Sequence, residues 1–303
     1  MKKTDVYILS GFLGSGKTTL LKEILKKEKE LGRKVAVLMN EFGKISIDSN
    51  EVDEDIPLKE LLGGCVCCTI QDKLEAQLQQ LLVEEKPEVI YLETTGAAHP
   101  VETMDGILSP LFVDKLHFKG IITVINGEQW LTRSKLSPAI QQLLVEQARH
   151  ASLLIVNKED ILNESEKAKI TFELQGINPY AFTLLTNYSK FPFQRLMEMN
   201  NQVQNNVQPQ SIQSLHLSSF VYTFKDTIAS DKFEQFLRNL PDTIYRIKGY
   251  VQFHQSNYPD LFQYSYGMPL FIREEMKMPL NMVFIGENIN WQDIELELEQ
   301  LSR

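Results

Sequence analysis

The chain has 303 residues, 43% of them hydrophobic and 23% charged, with 31 basic against 40 acidic side chains for a formal charge of −9. That length exceeds one small core and fits a large domain plus a smaller one. The acidic balance argues against nucleic acid or an anionic membrane as the main partner, and no apolar run is long enough to span a bilayer.

Lys2-Lys3 ahead of the apolar residues 6–9 faintly imitates a signal peptide, but the stretch stops at Gly11 and runs into Lys17. It reads better as the first strand of a nucleotide fold in a cytoplasmic protein. Gly11-Phe12-Leu13-Gly14-Ser15-Gly16-Lys17-Thr18 follows, the G-x-x-x-x-G-K-[ST] phosphate loop between a strand and a helix. Gly11, Gly14, Ser15 and Gly16 let backbone N–H groups turn toward phosphates at the helix N-terminus, where the dipole favours anions. Lys17 should reach the β- and γ-phosphates and Thr18 should sit on Mg²⁺, with Thr19 completing the nucleotide-binding set. Leu20, Leu21, Ile24 and Leu25 give that helix its apolar stripe, and Gly32 closes it.

A second buried strand is expected at 35–39, leading into Asn40-Glu41-Phe42-Gly43 and on to Asp48. This is one candidate sensor of the γ-phosphate, with Asp48 a candidate Mg²⁺ residue. Next comes Gly63-Gly64-Cys65-Val66-Cys67-Cys68, which holds all three cysteines of the chain. No distant thiol exists for any of them to pair with, and thiolates suit zinc, with cobalt and copper(I) as alternatives. Three cysteines leave a fourth position for Glu41, water or a ligand on a partner. A redox-active pair or buried structural cysteines are the competing readings, although a vicinal disulfide is strained.

Leu74, Leu78, Leu81 and Leu82 mark another helix, and Pro87 precedes a strand at 89–92. Glu93-Thr94-Thr95-Gly96 at its end is the second candidate sensor: Glu93 for Mg²⁺, directly or through water, and the Gly96 N–H for the γ-phosphate. Lys17, Thr18 and Glu93 are the expected catalytic residues. Strands at 121–125 and 153–156 flank an amphipathic stretch at 140–148. Asn157-Lys158-Glu159-Asp160 then selects the base. Asp160 can accept both hydrogens that guanine offers and adenine does not, the Lys158 stem can pack on the ring, and Asn157 can brace the loops.

Near-continuous apolar strands separated by helices predict an α/β fold, a mostly parallel sheet covered by helices. The expected domains are a P-loop GTPase domain with an inserted metal loop over 1–195, an amide-rich linker over 196–214, and a small α+β domain over 215–303. In that last domain, strands are expected at 215–224, 245–253 and 282–285, with helices at 232–240 and 290–301. Phe253, Tyr258, Phe262, Tyr264 and Tyr266 are read either as strand packing or as a client surface.

These motifs resemble the CobW-like GTPases, the metallochaperone branch of the P-loop GTPases related to the hydrogenase and urease nickel-insertion GTPases. The resemblance runs in order through residues 11–18, 40–43, 63–68, 93–96 and 157–160, then Asn178-Pro179 and Arg246-Ile247-Lys248-Gly249. It implies a zinc- or cobalt-binding GTPase that cycles between GTP and GDP and delivers metal from Cys65, Cys67 and Cys68 to a client metalloprotein. The chain departs from the family at Lys44, His99 and Asn126, and it has no His-rich tract. His99 and His117 are candidate auxiliary ligands, although isolated histidines are more often surface or core residues. No glutamine follows Gly96 to orient water, so slow turnover is expected, accelerated by a client or a nucleotide-dependent homodimer. The alternative function is a metal or redox sensor that binds a partner without transferring metal.

Overall fold

The computed structural model describes residues 3–39, 58–60, 70–204, 217–265 and 267–301. The expected sensor at 40–48 and the cysteine loop at 63–68, with Glu41, Asp48, Cys65, Cys67 and Cys68, lie outside the described residues. The chain divides into two compact units, Met1–Ile107 with Lys115–Ile212, and Leu108–Asp114 with Gln213–Arg303.

The first unit alternates strands and helices. In chain order these are β1 (Thr4–Ser10), α1 (Lys17–Glu30), β2 (Val35–Met39), β3 (Leu58–Glu60), α2 (Ile70–Glu84), β4 (Val89–Glu93) and α3 (Pro100–Ile107). They continue with β5 (Leu116–Asn126), α4 (Gly127–Leu131), α5 (Pro138–Arg149), β6 (Leu153–Asn157), α6 (Glu164–Ile177), β7 (Phe182–Leu185) and α7 (Gln194–Gln204). Among the described residues seven strands form one sheet in the order β3-β2-β4-β1-β5-β6-β7, and every neighbouring pair is parallel.

Both faces are covered, so β2, β4 and β6 are buried at every residue and show no alternation. On one face Leu20, Leu21 and Ile24 of α1 pack against Tyr7, Leu9, Val37 and Ile155. On the other, Trp130, Leu144, Ala148, Ile170 and Leu174 pack against Leu154 and Val156. Each fully buried leucine or isoleucine among them contributes about 1.5–3 kcal/mol. Leu196 and Met199 of α7 join the first cluster. The first unit therefore extends past residue 195, and residues 196–204 are helical where the amide-rich composition suggests a linker. The i, i+3 spacing of Leu196 and Met199 supplies the reason.

After β1 the chain places β2, β3 and β4 on one side and β5, β6 and β7 on the other. The carboxyl end of β1 is thus a point where connections diverge, which opens a crevice for a ligand. Toward the amino end of the same strands lies a closed polar network. The rings of Tyr7 and Tyr91 stack at 5.2 Å. The fully buried Glu28 carboxylate accepts from the Tyr91 hydroxyl and from both Nε and Nη2 of Arg33. Its hydrogen bonds hold the Arg33 pKa well above the ordinary value against the opposing effect of burial. Burial first, and then the Glu28 charge, pushes the Tyr91 hydroxyl well up. Asp5 receives Lys119 at 3.3 Å, His117 at 3.4 Å and Arg33 at 3.8 Å.

The second unit contains β8 (Leu217–Thr223), α8 (Ser230–Arg238), β9 (Ile244–Val251), β10 (Asp260–Ser265), β11 (Met268–Arg273), β12 (Asn281–Glu287) and α9 (Trp291–Leu301). Its antiparallel sheet runs β11-β10-β9-β12-β8. Phe233 and Phe236 of α8 and Ile294 and Leu298 of α9 pack with Ile247, Phe262 and Phe284. Phe262 and Tyr264 belong to this core and Phe253 packs against it, so these three aromatics serve strand packing. Tyr258 is exposed, and Tyr266 lies outside the described residues. The short turn Pro110–Phe112, from the earlier segment, packs on β9 and β12 and buries Phe112.

Candidate nucleotide site

Residues 11–16 connect β1 to α1 in a tight loop in which Gly11, Gly14 and Gly16 all take positive φ. Gly16 has φ of +109°, and a Cβ there would lie 2.3 Å from Nδ2 of Asn157. Only glycine fits that backbone and that approach. Ser15 N donates to Phe12 O at 3.2 Å and closes the turn. Lys17 is 9% exposed, and its ammonium donates to the carbonyls of Gly11 at 2.8 Å and Phe12 at 3.4 Å. The charge is thus folded into its own loop. Ser15 Oγ is buried and has no hydrogen-bond partner among the described residues. A buried hydroxyl without a partner costs about 1–3 kcal/mol, and an anion in the loop would remove that cost. Glycine backbone, lysine and unpartnered hydroxyl together fit a phosphate.

Glu93 ends β4 directly beside Leu9 of β1. It is 7% exposed, and its Oε1 accepts the Thr18 hydroxyl at 2.9 Å. Two oxygen donors at hydrogen-bond distance beside a phosphate loop are the ligand chemistry of Mg²⁺, so these residues fit that ion. The next residue, Thr94, donates through both N and Oγ1 to Leu9 O, at 3.0 and 3.1 Å. The loop that follows is held from α5, where Gln147 Nε2 donates to Gly96 O at 3.2 Å and Ala98 O at 3.3 Å.

On the far side Asn157 ends β6 and is 4% exposed. Its Nδ2 donates to Ser15 O at 2.9 Å, and its Oδ1 accepts from Ser189 N at 2.9 Å. Ser189 Oγ donates to Gly16 O at 3.3 Å. Asn157 therefore ties the phosphate loop to residues 186–190 after β7. Lys158 turns the chain with φ of +63°, and Asp160 stands exposed in the short turn that follows. Glu159 N donates to Thr186 O at 3.1 Å, which binds the two loops together.

Sequence reasoning missed Ser189 and its loop. The signals available were the apolar residues 182–185, a strand too short for periodicity, and the polar run Thr186-Asn187-Tyr188-Ser189 behind it. Gln147 was also missed, hidden inside an amphipathic helix. Asn178 has a structural role: its amide donates to the carbonyls of Ala148, Arg149 and Ala151 at 3.1, 2.8 and 2.9 Å, capping α5. Asn126 caps α4 by accepting from Gln129 N at 3.3 Å.

The candidate auxiliary histidines lie apart. His117 sits beside Asp5, and burial, followed by the Lys119 charge, lowers its pKa. The His99 ring lies 6.1 Å from that of His150, whose Nε2 is 3.1 Å from Glu146 Oε2. Burial, followed by His150, lowers the His99 pKa, and the hydrogen bond with His150 lowers that of Glu146. Among the described residues no three His, Cys, Asp or Glu side chains are grouped to hold a metal ion.

Residues 5–184 match the CobW/HypB/UreG nucleotide-binding domain, and residues 217–302 match the cobalamin synthesis protein CobW C-terminal domain. The chain is 27% identical over 232 residues to the zinc-regulated GTPase metalloprotein activator 1 of Dictyostelium discoideum, covering 65% of this chain and 48% of that protein. It is 32% identical over 167 residues to the zinc chaperone YeiR of Escherichia coli strain K12, covering 54% and 50%. The matched regions thus span about half the length of these curated relatives. The Zn(II)-bound YjiA GTPase of E. coli shares the fold, with a TM-score of 0.51, 20% identity and full coverage of both chains. A phosphate loop closed by Asn157 and faced by Glu93, on a parallel sheet followed by a matching second domain, places this chain in the CobW family of P-loop nucleotide-binding proteins.

Proposed function

We propose that the protein is a GTP-hydrolysing metallochaperone that carries zinc on Cys65, Cys67 and Cys68 and passes it to a client metalloprotein. The observation that carries the nucleotide half is Asn157, which bonds the phosphate loop with one end of its amide and the loop after β7 with the other. That bridge joins the phosphate loop to the strand end that carries Lys158 and Asp160, which supports the reading of a guanosine phosphate site. The metal half rests on the clustered thiols and on relatives named as zinc chaperones.

In the proposed reaction, Lys17 exchanges its bonds to Gly11 O and Phe12 O for the β- and γ-phosphate oxygens. Backbone N–H groups of residues 14–18 take up the remaining charge at the start of α1. Thr18 and Glu93 would hold Mg²⁺, which neutralises charge developing on the phosphates. Asp160 selects guanine, and Gly96 reads the γ-phosphate. Bound GTP engages residues 40–48 and 93–96, which lie on either side of the cysteine loop in sequence, and so changes zinc affinity; hydrolysis resets it. Linkage makes the effect reciprocal, so zinc must alter GTP affinity by the same factor.

Zinc affinity measured by competition with a chromogenic chelator tests this reading, in the apo protein, with GDP, and with a non-hydrolysable GTP analogue plus Mg²⁺. The expected result is a nucleotide-dependent affinity, about tenfold or more between the two nucleotides, that disappears in Cys67→Ser. Tight zinc binding indifferent to nucleotide would overturn the chaperone cycle.

A further inference from the structure

The loop between β4 and α3 carries Gly96, and its resting position is set by contacts that the sequence motifs do not include. A Cβ on Gly96 would fall 2.6 Å from Leu13 N, so this loop lies directly against the phosphate loop. On its other side stands Gln147, 1% exposed, near the end of α5. Its Nε2 donates to two carbonyls of the loop, Gly96 O and Ala98 O. Those acceptors fix the orientation of the amide, because the flipped form would point an oxygen at two oxygens. The other end, Oε1, is buried and accepts no hydrogen bond among the described residues. Among the described residues, the hydrogen bonds of this side chain all go to the Gly96 loop. Its backbone is anchored in turn, since Thr123 Oγ1 of β5 donates to Gln147 O at 2.9 Å.

We propose that Gln147 is a positioning residue for the γ-phosphate: it presses the Gly96 loop against the phosphate loop so that the Gly96 N–H is delivered without an ordering cost when GTP binds. The inference rests on the nucleotide reading above and extends it to a residue outside every nucleotide motif. A loop free to wander must lose conformational entropy to reach the γ-phosphate, whereas a loop pinned at Gly96 O and Ala98 O has already lost it. GDP has no γ-phosphate and gains nothing from the pin. The consequence is a difference between two ligands at one site, which a purely structural glutamine would not produce.

The test uses the full-length protein with Mg²⁺, fluorescent GDP and a fluorescent non-hydrolysable GTP analogue. Gln147→Leu keeps the volume and removes both donors, so triphosphate affinity should fall about tenfold while GDP affinity stays within about twofold. Gln147→Glu should show the same loss near pH 8 and recover part of it toward pH 6, where a protonated carboxyl regains one O–H donor. The wild type serves as control for other titrations. Melting temperatures of both variants report whether the fold survives. Equal weakening of both nucleotides, or no change in either, would overturn the role of Gln147. A wild type that binds neither nucleotide would instead bring down the nucleotide reading itself.

Discussion

The two ends of the central sheet handle charge in opposite ways, though β1 and β4 run through both. Toward the amino end, Glu28, Arg33 and Tyr91 close on one another, and Asp5 is ringed by Arg33, His117 and Lys119. At the carboxyl end, Lys17 donates to the backbone carbonyls of Gly11 and Phe12, and Ser15 Oγ is buried without a hydrogen-bond partner among the described residues. A network whose groups satisfy each other stabilises the fold and has nothing left for a ligand. A loop whose groups are matched to weaker partners gives up stability to remain exchangeable.

The contrast can be broken in three places. The largest effect is expected from Glu28→Ala, which strips a fully buried carboxylate from Arg33 and Tyr91. Chemical denaturation should report a loss of about 3–5 kcal/mol, as for a broken buried pair, while the folded fraction binds nucleotide normally. Lys17→Ala should do the reverse. Affinity for GTP and GDP, measured by titration calorimetry, should fall about a hundredfold, or about 2.7 kcal/mol. The melting temperature should fall far less than in Glu28→Ala, because the bonds given up to Gly11 O and Phe12 O lie within one short loop. A large drop in melting temperature would mean that the loop lysine is structural and that the two ends are not so different.

The smallest effect concerns His99, flanked by His150, Glu146 and Glu102. Its folded pKa lies below the ordinary value of about 6.5, so the unfolded chain binds more protons in the window just below that pH. Stability attributable to His99 is therefore complete above about pH 6.5 and declines as pH falls below it. His99→Gln should flatten the melting-temperature profile between about pH 6.5 and 5 relative to wild type; an unchanged slope would remove His99 from the account.

Much of this was legible in the sequence because it is written locally. A phosphate loop needs its glycines and lysine consecutively, and strands buried on both faces read as uninterrupted apolar runs. Asn157 and Glu93 were visible because each ends such a run. The rest was not legible because it depends on distance in space. Gln147 meets Gly96 across 51 positions, and Ser189 meets Gly16 across 173. Nothing near either partner in the chain announces the other. The same reason hid residues 196–204, where two buried side chains outweigh a run of amides that composition alone assigns to a linker.

The turn Pro110–Phe112 carries a consequence for synthesis. It packs on β9 and β12, yet the ribosome delivers it about a hundred residues before the rest of its own unit, Gln213–Arg303. Until those strands emerge, Phe112 has no apolar surface of its own unit to cover it. During that interval, some seconds at ordinary elongation rates of about 5–20 residues per second, the nascent chain presents a proline-flanked aromatic that a chaperone or another nascent copy can find. Any attempt to produce the nucleotide-binding unit by truncation would make that brief exposure permanent.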